Sequence, residues 1–311
     1  MVEQKPLGTS GLLTPPLILG GNVFGWTADE PTSFRILDAF VAGGGVMIDT
    51  ADVYAAWVPG LKGGESESVI GTWLARRGRR DDVAIATKVG FIGGLSAANI
   101  ERAVEGSLRR LRTDRIDLYY AHRDDADVPL EETLVAFDKL VRAGKVGALG
   151  ASQITAPRLE AALDISTANG WTSYSVLQAG YSLLDRTIEI DLVPFARRRG
   201  LGVATFYSLA NGYLTGKYRS PADLGKSVRG DRVAAYLDGN GPHVLAALDE
   251  IAAELNATPA QIALAWTAAQ PGITAPLASA TSVEQVEELL GCLRLRLTAE
   301  QIGRLDRALA E

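Results

Sequence analysis

Eight short apolar runs alternate with segments of helical periodicity in this chain, and this alternation constrains the fold more than any other feature. The runs span residues 17–19, 46–48, 83–88, 116–122, 146–151, 175–178, 201–206 and 273–277. Continuous apolar runs are typical of parallel strands covered on both faces, and the intervening segments are long enough for right-handed helical crossovers. We therefore predict an α/β fold, a (β/α)8 TIM barrel, formed by a single domain over residues 1–311.

Additional elements are expected at the two ends of the barrel. Thr9-Ser10-Gly11 predicts an N-terminal β-hairpin turn, and residues 282–290 and 298–309 predict two C-terminal closing helices. Residues 208–240 form one long irregular section, which is typical of a binding loop. The rival fold is a doubly wound open sheet, but no G-x-G-x-x-G sequence opens a helix here.

The composition restricts the possible partners. The chain is 47% hydrophobic and carries a formal net charge of -6, which argues against binding to nucleic acid or to anionic membranes. No stretch approaches the roughly 20 apolar residues of a membrane span. The single cysteine, Cys292, lies in an apolar run and suits packing in a reducing compartment. We expect a monomeric cytoplasmic protein that acts on a small molecule.

Polar residues stand at the ends of successive predicted strands. They are Asp49, Lys88, His122, Ser152, Gln178, Tyr207 and Ser279, and Tyr54 follows in the loop after the second strand. One such residue could be a simple cap, but a barrel directs all of them towards one mouth, where barrel enzymes place their active sites. We predict no metal site, because no second His or Cys stands at ligand spacing. A serine hydrolase is disfavoured, because no G-x-S-x-G elbow is present.

Several of these segments resemble the signatures of the aldo-keto reductase family. Residues 46–54, with Gly64-Glu65-Ser66-Glu67, are similar to the first family signature, and residues 107–122 are similar to the second. The strand ending in Ala86-Thr87-Lys88 resembles the one that carries the family lysine. Residues 150–153, 177–184 and 207–217 resemble later family blocks, in family order. The resemblance covers nearly the whole chain and implies the same barrel fold.

The resemblance also implies a nicotinamide-dependent enzyme that reduces an aldehyde or a ketone. Tyr54 would be the proton donor, Lys88 and Asp49 would adjust its pKa, and His122 would orient the carbonyl. Elementary chemistry supports this assignment, because hydride addition leaves negative charge on oxygen that an acid must neutralise. A lysine cation is expected to lower the pKa of a neighbouring tyrosine, and Asp49 would supply the counter-charge of a buried Lys88. Asp52 is assigned only a loop or capping role.

The same resemblance implies a set of cofactor-binding residues. The set comprises Gly21, Asn22, Asp49, Ser152, Gln153, Gln178, Tyr207, Ser208, Leu209, Asn211, Gly212, Lys217, Ser279, Thr281, Gln285 and Glu288. Ser152, Gln153 and Gln178 would bind the carboxamide, and Tyr207 would stack on the nicotinamide ring. The loop from Ser208 to Lys217 would cover the pyrophosphate. The segment from Ser279 to Glu288 would surround the adenosine, although Ser282 and Gln285 also fit a plain capping box.

The sequence departs from the family pattern in ways that leave the cofactor open. Residue 153 is Gln where many members have Asn, and the block after Tyr207 lacks a frequent proline. Thr281 stands where relatives often have a basic residue, and Leu289 where they often have Asn. Because a 2′-phosphate is bound best by Arg or Lys, NADP is the family expectation and NAD is possible. Lys217 or Arg229 would be the compensating cation.

The substrate is less constrained than the chemistry. Trp26, Trp57, Phe91 and Arg123 are expected at the pocket rim, where the rings favour an apolar or aromatic substrate and Arg123 adds polarity that suits a sugar. A steroid, a xenobiotic aldehyde and a keto-sugar all stay open. Two other functions are compatible with the barrel. One is a nicotinamide-binding regulatory subunit similar to potassium-channel β subunits, and the other is an isomerase or lyase without nicotinamide.

Overall fold

A closed barrel of eight parallel strands forms the centre of the protein in the computed structural model, which describes residues 2–228 and 230–309. The barrel strands are β3 (Ile18–Gly20), β4 (Met47–Asp49), β5 (Ala84–Val89), β6 (Ile116–Ala121), β7 (Val146–Ser152), β8 (Tyr174–Gly180), β9 (Gly202–Phe206) and β10 (Ala275–Ala278). Neighbours in the chain pair in order, and β10 pairs with β3 to close the sheet. The predicted (β/α)8 barrel is confirmed, with strand ends that differ by up to a few residues.

Two apolar cores lie on either side of the barrel wall. The inner core holds mostly small or slender side chains, among them Met47, Ala86, Leu118 and Ala204, as the narrow interior of an eight-stranded barrel requires. No residue larger than glycine fits at Gly150 on β7, because a Cβ there would lie 2.4 Å from the Tyr120 ring. The larger outer core lies between the strands and the surrounding helices.

A short hairpin closes the N-terminal end of the barrel, as predicted. Its strands are β1 (Lys5–Pro6) and β2 (Leu13–Thr14), which pair antiparallel. Leu7 follows β1 and belongs to the inner core. A Cβ on Gly8 would lie 2.2 Å from the Gly202 nitrogen, so the hairpin backbone lies directly against the start of β9. The opposite, C-terminal end of the barrel is therefore the mouth.

Helices surround the barrel, most of them between successive strands and the last two after β10. They are α1 (Glu30–Ala42), α2 (Glu65–Arg77), α3 (Ala97–Leu111), α4 (Leu130–Arg142), α5 (Ala156–Asn169), α6 (Leu192–Arg199), α7 (Gly230–Val233), α8 (Gly241–Leu255), α9 (Pro259–Ala269), α10 (Val283–Leu290) and α11 (Ala299–Ala308). Thr258 and Thr298 start α9 and α11 with capping boxes. The two predicted closing helices correspond to α10 and α11. Within the described ranges, no helix is both long and apolar enough to cross a membrane.

The segment after β9 is more ordered than the sequence indicated. Residues 208–240 were expected to be irregular, but they contain three 3₁₀ turns, Ala210–Thr215, Pro221–Lys226 and Ala234–Tyr236, together with α7. The buried rings of Tyr213 and Tyr218 belong to the outer core. The expectation of an irregular section is therefore wrong for most of this segment, because local capping and buried aromatic rings support short helical turns among the Gly and Asp residues.

Candidate active site

The predicted strand-end residues converge because their side chains point to the inside of the barrel, as those of the inner core do. Side chains alternate along a strand, so a residue two positions beyond an inward-facing one also faces inwards. The inner-core residues and their partners two positions on are Met47 and Asp49, Ala86 and Lys88, Tyr120 and His122, Val176 and Gln178, and Leu277 and Ser279. These polar side chains therefore form the layer above the inner core, at the mouth of the barrel.

A buried ion pair lies at the centre of this layer. Lys88 Nζ donates to Asp49 Oδ1 at 2.5 Å, to the Thr50 carbonyl at 2.7 Å and to the Tyr54 hydroxyl at 2.8 Å. Asp49 also accepts from Gln178 Nε2 at 2.8 Å and from the Tyr54 hydroxyl at 3.4 Å. Lys88 and Asp49 are each 1% exposed. The three side chains predicted to work together are thus in direct contact.

The pKa of Tyr54 moves in the opposite direction to the one expected. Burial, followed by the negative charge of Asp49 and the hydrogen bond to it, raises the pKa of Tyr54 well above its usual value. Burial also lowers the pKa of Lys88, against the opposing effect of Asp49. The expectation of a lowered Tyr54 pKa is therefore wrong, because burial and the Asp49 charge raise it. Tyr54 holds its proton throughout the neutral pH range.

His122 contributes a neutral imidazole beside Tyr54. The two ring centroids are 6.0 Å apart. Burial and then the charges of Lys88 and Arg123 lower the pKa of His122 to about 2. His122 Nδ1 is buried and has no hydrogen-bond partner among the described residues. A neutral imidazole carries one N–H, so this ring can donate a hydrogen bond to an incoming oxygen without bringing in a charge.

The aromatic residues predicted for the substrate pocket lie next to Tyr54 and His122. Trp57 packs edge-on against Trp26 and Tyr54, with ring centroids 5.8 Å and 5.9 Å away. On the other side, the Phe91 ring lies 5.0 Å from His122 and 4.9 Å from the Arg123 guanidinium carbon. Trp57 is 48% exposed and Phe91 is 39% exposed. Trp57 and Phe91 therefore place accessible apolar surface beside Tyr54 and His122, with Trp26 packed on Trp57 and Arg123 on Phe91.

The three predicted carboxamide-binding residues lie on adjacent strands. Ser152 ends β7, opposite Gln178 on β8, and both are nearly fully buried. Gln153 follows with a left-handed φ of 48° and donates from Nε2 to the His122 carbonyl at 3.0 Å. Gln178 donates one amide N–H to Asp49. A ligand amide would therefore meet the Ser152 hydroxyl and the remaining polar groups of the Gln178 amide.

Gly21, Asn22 and Ser279 meet where the first and last barrel strands are neighbours. Ser279 Oγ donates to Asn22 Oδ1 at 2.5 Å. The Gly21 N–H donates to the Asp49 carbonyl at 2.7 Å, and a Cβ there would lie 2.9 Å from Ser66 Oγ. Gly21 therefore meets a packing requirement whether or not it also contacts a ligand.

The loop after β9 carries the other predicted cofactor residues in an unusual backbone conformation. Tyr207, Asn211 and Gly212 have positive φ values of 58°, 57° and 96°. Tyr207 is out of phase with the inner core, and its left-handed turn leaves the side chain 54% exposed. Leu209 packs partly buried against the outer core. Ser208 is buried, with its hydroxyl bonded to Thr205, so any ligand contact from Ser208 would come from the backbone.

The predicted adenosine segment is tied together by local hydrogen bonds. Ser282 caps α10 by accepting from the Gln285 N–H at 3.3 Å. The Gln285 side chain accepts from the N–H and hydroxyl of Thr281, at 2.8 Å and 3.1 Å, and not from the cap itself. The Glu288 carbonyl accepts from Gln261. Lys217 is exposed and lies over the Tyr218 ring, with Nζ 5.1 Å from the ring centroid, and Arg229 lies outside the described residues.

Some polar groups around the site were missed by sequence reasoning. Thr50 contacts Lys88 through its backbone, which no side-chain pattern reveals. Asp52 has a buried carboxylate oxygen without a partner in the described part of the chain. The only sequence signal was a second acid three residues after Asp49.

Cys292 is buried, and burial raises the pKa of its thiol to about 12, in keeping with the packing role expected for it.

Comparison with known proteins identifies relatives over the whole barrel. Residues 16–310 match the family model described as the Aldo/keto reductase family. The "Uncharacterized oxidoreductase YrpG" of Bacillus subtilis is 37% identical, with 98% of this chain and 95% of that protein covered. The "Norsolorinic acid reductase" of Aspergillus flavus is 31% identical, with 96% and 79% covered. The "Probable voltage-gated potassium channel subunit beta" of Oryza sativa subsp. japonica is 32% identical, with 98% and 96% covered.

Proposed function

The chain belongs to the aldo/keto reductase family of oxidoreductases, and from this membership we propose that it reduces an aldehyde or ketone to an alcohol with a nicotinamide cofactor. The observation that carries the proposal is the contact of Lys88 Nζ with both the Tyr54 hydroxyl and Asp49 Oδ1. A protonated phenol beside a buried ammonium is suited to donate a proton to a developing alkoxide.

Tyr54 acts as the proton donor, and Lys88 supports it when charge develops. The raised pKa of Tyr54 keeps the phenol protonated before reaction. As the proton leaves for the carbonyl oxygen, the Tyr54 oxygen becomes negative and its hydrogen bond from Lys88 becomes charge-assisted. Such stabilisation is stronger in the transition state than in the ground state, as catalysis requires. The neutral His122 ring donates a second hydrogen bond to the same carbonyl oxygen.

The residues at the mouth fit a nicotinamide cofactor. When bound, the reduced cofactor supplies the hydride for the carbonyl carbon. The half-exposed Tyr207 ring offers a stacking surface, and Ser152 and Gln178 offer buried polar atoms on adjacent strands. Asn211 and Gly212 present left-handed backbone of the kind that forms anion-binding concavities. We propose that these residues, with Gly21, Asn22, Gln153, Ser208, Leu209, Lys217, Ser279, Thr281, Gln285 and Glu288, form the cofactor site.

We propose NADPH as the preferred cofactor, with Lys217 as the cation for the 2′-phosphate. The segment from Ser279 to Leu290 contains no Arg or Lys, so the charge must come from elsewhere. Lys217 is exposed, and no ion pair within the described residues includes it. A phosphate would meet an available ammonium there. Without that contact, the same site would accept NADH equally well.

The substrate proposed from the mouth is an aromatic aldehyde or ketone. Trp57 lies beside Tyr54 and Phe91 beside His122, and both rings are partly exposed. Aromatic pairs gain energy beyond the area they bury. Arg123 already lies over Phe91 and adds a positive charge at the rim. Among the three substrate classes left open by the sequence, this lining favours a planar aromatic carbonyl over a sugar.

A cofactor titration followed by a paired substrate panel tests this function. Quenching of protein fluorescence by NADPH and NADH tests binding, and absence of binding to both would favour an isomerase or lyase. Turnover is then compared for benzaldehyde and cyclohexanecarbaldehyde, which are similar in size and differ in aromaticity. We expect the larger kcat/KM for benzaldehyde. Cofactor binding without turnover on any carbonyl would favour the regulatory-subunit alternative that the rice relative represents.

A further inference from the structure

A second carboxylate, Asp52, lies in the loop between Asp49 and Tyr54 and has no part in the proposed reaction. Its backbone N–H donates to the Lys88 carbonyl at 3.2 Å. Two residues earlier, the Thr50 carbonyl accepts from Lys88 Nζ at 2.7 Å, and two residues later the chain reaches Tyr54. One short loop therefore holds both ends of Lys88 and carries Tyr54, and Asp52 lies at its centre.

The Asp52 carboxylate interacts electrostatically with charged or titratable groups from four elements. These are Lys88 on β5, Glu67 on α2, Arg110 on α3 and Tyr119 on β6. Asp52 Oδ1 and the Tyr119 hydroxyl are both buried, and neither has a hydrogen-bond partner among the described residues. Buried polar atoms without partners are rare enough in native proteins that each calls for an explanation.

The charges in this cluster leave Asp52 without a dedicated counter-ion. Glu67 is 0% exposed, and its two oxygens accept from Arg110 Nε at 2.7 Å and from the Thr87 hydroxyl at 2.6 Å. Arg110 is therefore paired with Glu67, and no ion pair within the described residues includes Asp52. Burial and then the Glu67 charge raise the pKa of Asp52 to about 7, against the opposing effects of Arg110, Lys88 and a hydrogen bond from the Val53 N–H.

We propose that Asp52 is a positioning residue whose charge state sets, through Lys88, how readily Tyr54 gives up its proton. The inference rests on the proposed function. In the reaction the Tyr54 O–H bond breaks, its proton bonds to the carbonyl oxygen, and the negative charge stays on the Tyr54 oxygen. When Asp52 is neutral, Asp49 alone balances Lys88, and the ammonium stabilises that charge fully. When Asp52 is ionised, two carboxylates share the ammonium, and proton donation becomes less favourable.

Single-turnover reduction of benzaldehyde by the NADPH-loaded enzyme between pH 5.5 and 8.5 tests the kinetic part. We expect the wild-type rate to fall about three- to tenfold through an inflection near pH 7. Asp52→Asn should keep the low-pH rate throughout and lose the inflection. Asp114→Asn, at an exposed position before β6, is the matched control. This variant should show the same inflection near pH 7 as the wild type. An unchanged inflection in Asp52→Asn would overturn the proposal.

An NMR titration gives a readout that needs no turnover. With ¹³C-labelled aspartate, the carboxyl signal that is missing from Asp52→Asn should titrate near pH 7 in the wild type, and the Lys88 ¹⁵Nζ signal should shift with the same midpoint. A midpoint near 4, or a Lys88 signal that does not respond, would reject the role of Asp52 even in an active reductase. A coupled titration in a protein that reduces no carbonyl would instead reject the proposed function and leave the coupling established.

Discussion

Lys88 Nζ lies 2.5 Å from Asp49 Oδ1 in a pair whose side chains are only 1% and 2% exposed. Their register explains the contact, because Asp49 on β4 pairs with Ala86 on β5, two residues before Lys88. Removing both charges from water costs several kcal/mol per ion. Hydrogen bonds from Gln178 to Asp49, and from Lys88 to the Thr50 carbonyl, offset part of that cost. The pair is therefore better explained by function than by stability.

Breaking this pair from one side should be strongly destabilising. Lys88→Met leaves the Asp49 carboxylate buried without a counter-ion, and we expect the free energy of unfolding to fall by about 3–5 kcal/mol. Urea unfolding at pH 8 measures the change. The double variant Lys88→Met/Asp49→Leu should recover most of the loss but no activity.

The matched control is Arg79→Met, which breaks the exposed pair of Arg79 with Asp81. That change should alter the free energy of unfolding by less than about 1 kcal/mol. If Lys88→Met were no more destabilising than Arg79→Met, the Asp49 carboxylate would not depend on Lys88 for its burial.

The neutral state of His122 predicts a defined pH dependence of stability. The folded pKa of about 2 lies below the unfolded value of 6.5, so the unfolded chain binds the proton first as the pH falls. The stabilisation from this group is therefore complete above pH 6.5 and decreases as the pH falls below it. In His122→Gln, we expect the slope of unfolding free energy against pH between 4.5 and 6 to decrease by up to about 1.4 kcal/mol per pH unit.

Imidazole NMR signals provide the direct check. His122 should keep the shifts of a neutral ring from pH 8 down to pH 5, and the exposed His243 gives the second, separable signal. A His122 signal that titrates between pH 5 and 7 would contradict the burial-driven shift and the proposed neutral donor.

Lys217 should decide the cofactor preference. We expect Lys217→Met to raise the KM for NADPH about tenfold or more, because a charged contact to the 2′-phosphate is lost, and to leave the KM for NADH within about twofold. Lys139→Met is the control, since Lys139 is exposed on α4 and no ion pair within the described residues includes it. Equal effects of Lys217→Met on both cofactors would remove Lys217 as the phosphate ligand.

The hairpin should tolerate no side chain at Gly8. Gly8 has a φ of 59°, and an added Cβ would lie 2.2 Å from the Gly202 nitrogen and 2.3 Å from the Ser175 carbonyl oxygen. Gly11 has a φ of 77° and open space around it. Gly11→Ala should therefore cost only about 1 kcal/mol for the left-handed backbone, and Gly8→Ala several times as much in thermal unfolding. Similar losses would mean that the hairpin moves freely away from the barrel.

The sequence revealed the barrel and its central contacts because both depend on local periodicity. The apolar runs predicted the strands, and alternation within a strand determines which strand-end residues share the inner face. Asp49, Lys88 and Gln178 could therefore be grouped before their contacts were known. Tyr207 could not be placed by the same rule. Alternation along β9 would not direct its side chain inwards, and its position depends on a left-handed turn of the backbone.

Electrostatics were harder to predict, because they depend on burial and on neighbours far apart in the chain. Lys88 was expected to lower the pKa of Tyr54, but the extent of burial and the position of Asp49 determine the direction. From the sequence, Asp52 looked like a loop residue. Its neighbours Glu67 and Arg110 come close to it only when α2 and α3 pack against the barrel, which the local sequence around Asp52 does not reveal. Backbone contacts such as the one between the Thr50 carbonyl and Lys88 cannot be predicted from the pattern of side chains.

The proton-donor role of Tyr54 is tested most directly by the single-turnover rate of Tyr54→Phe with bound NADPH and the best aldehyde of the panel. Tyr181→Phe is the matched control, because its hydroxyl bonds Glu189 and its ring stacks on Trp266, apart from the ion pair. We expect Tyr54→Phe to lose about 10²–10⁴-fold in rate, with the Kd for NADPH unchanged, and Tyr181→Phe to keep the wild-type rate. A wild-type rate in Tyr54→Phe would contradict the assignment of Tyr54 as the acid.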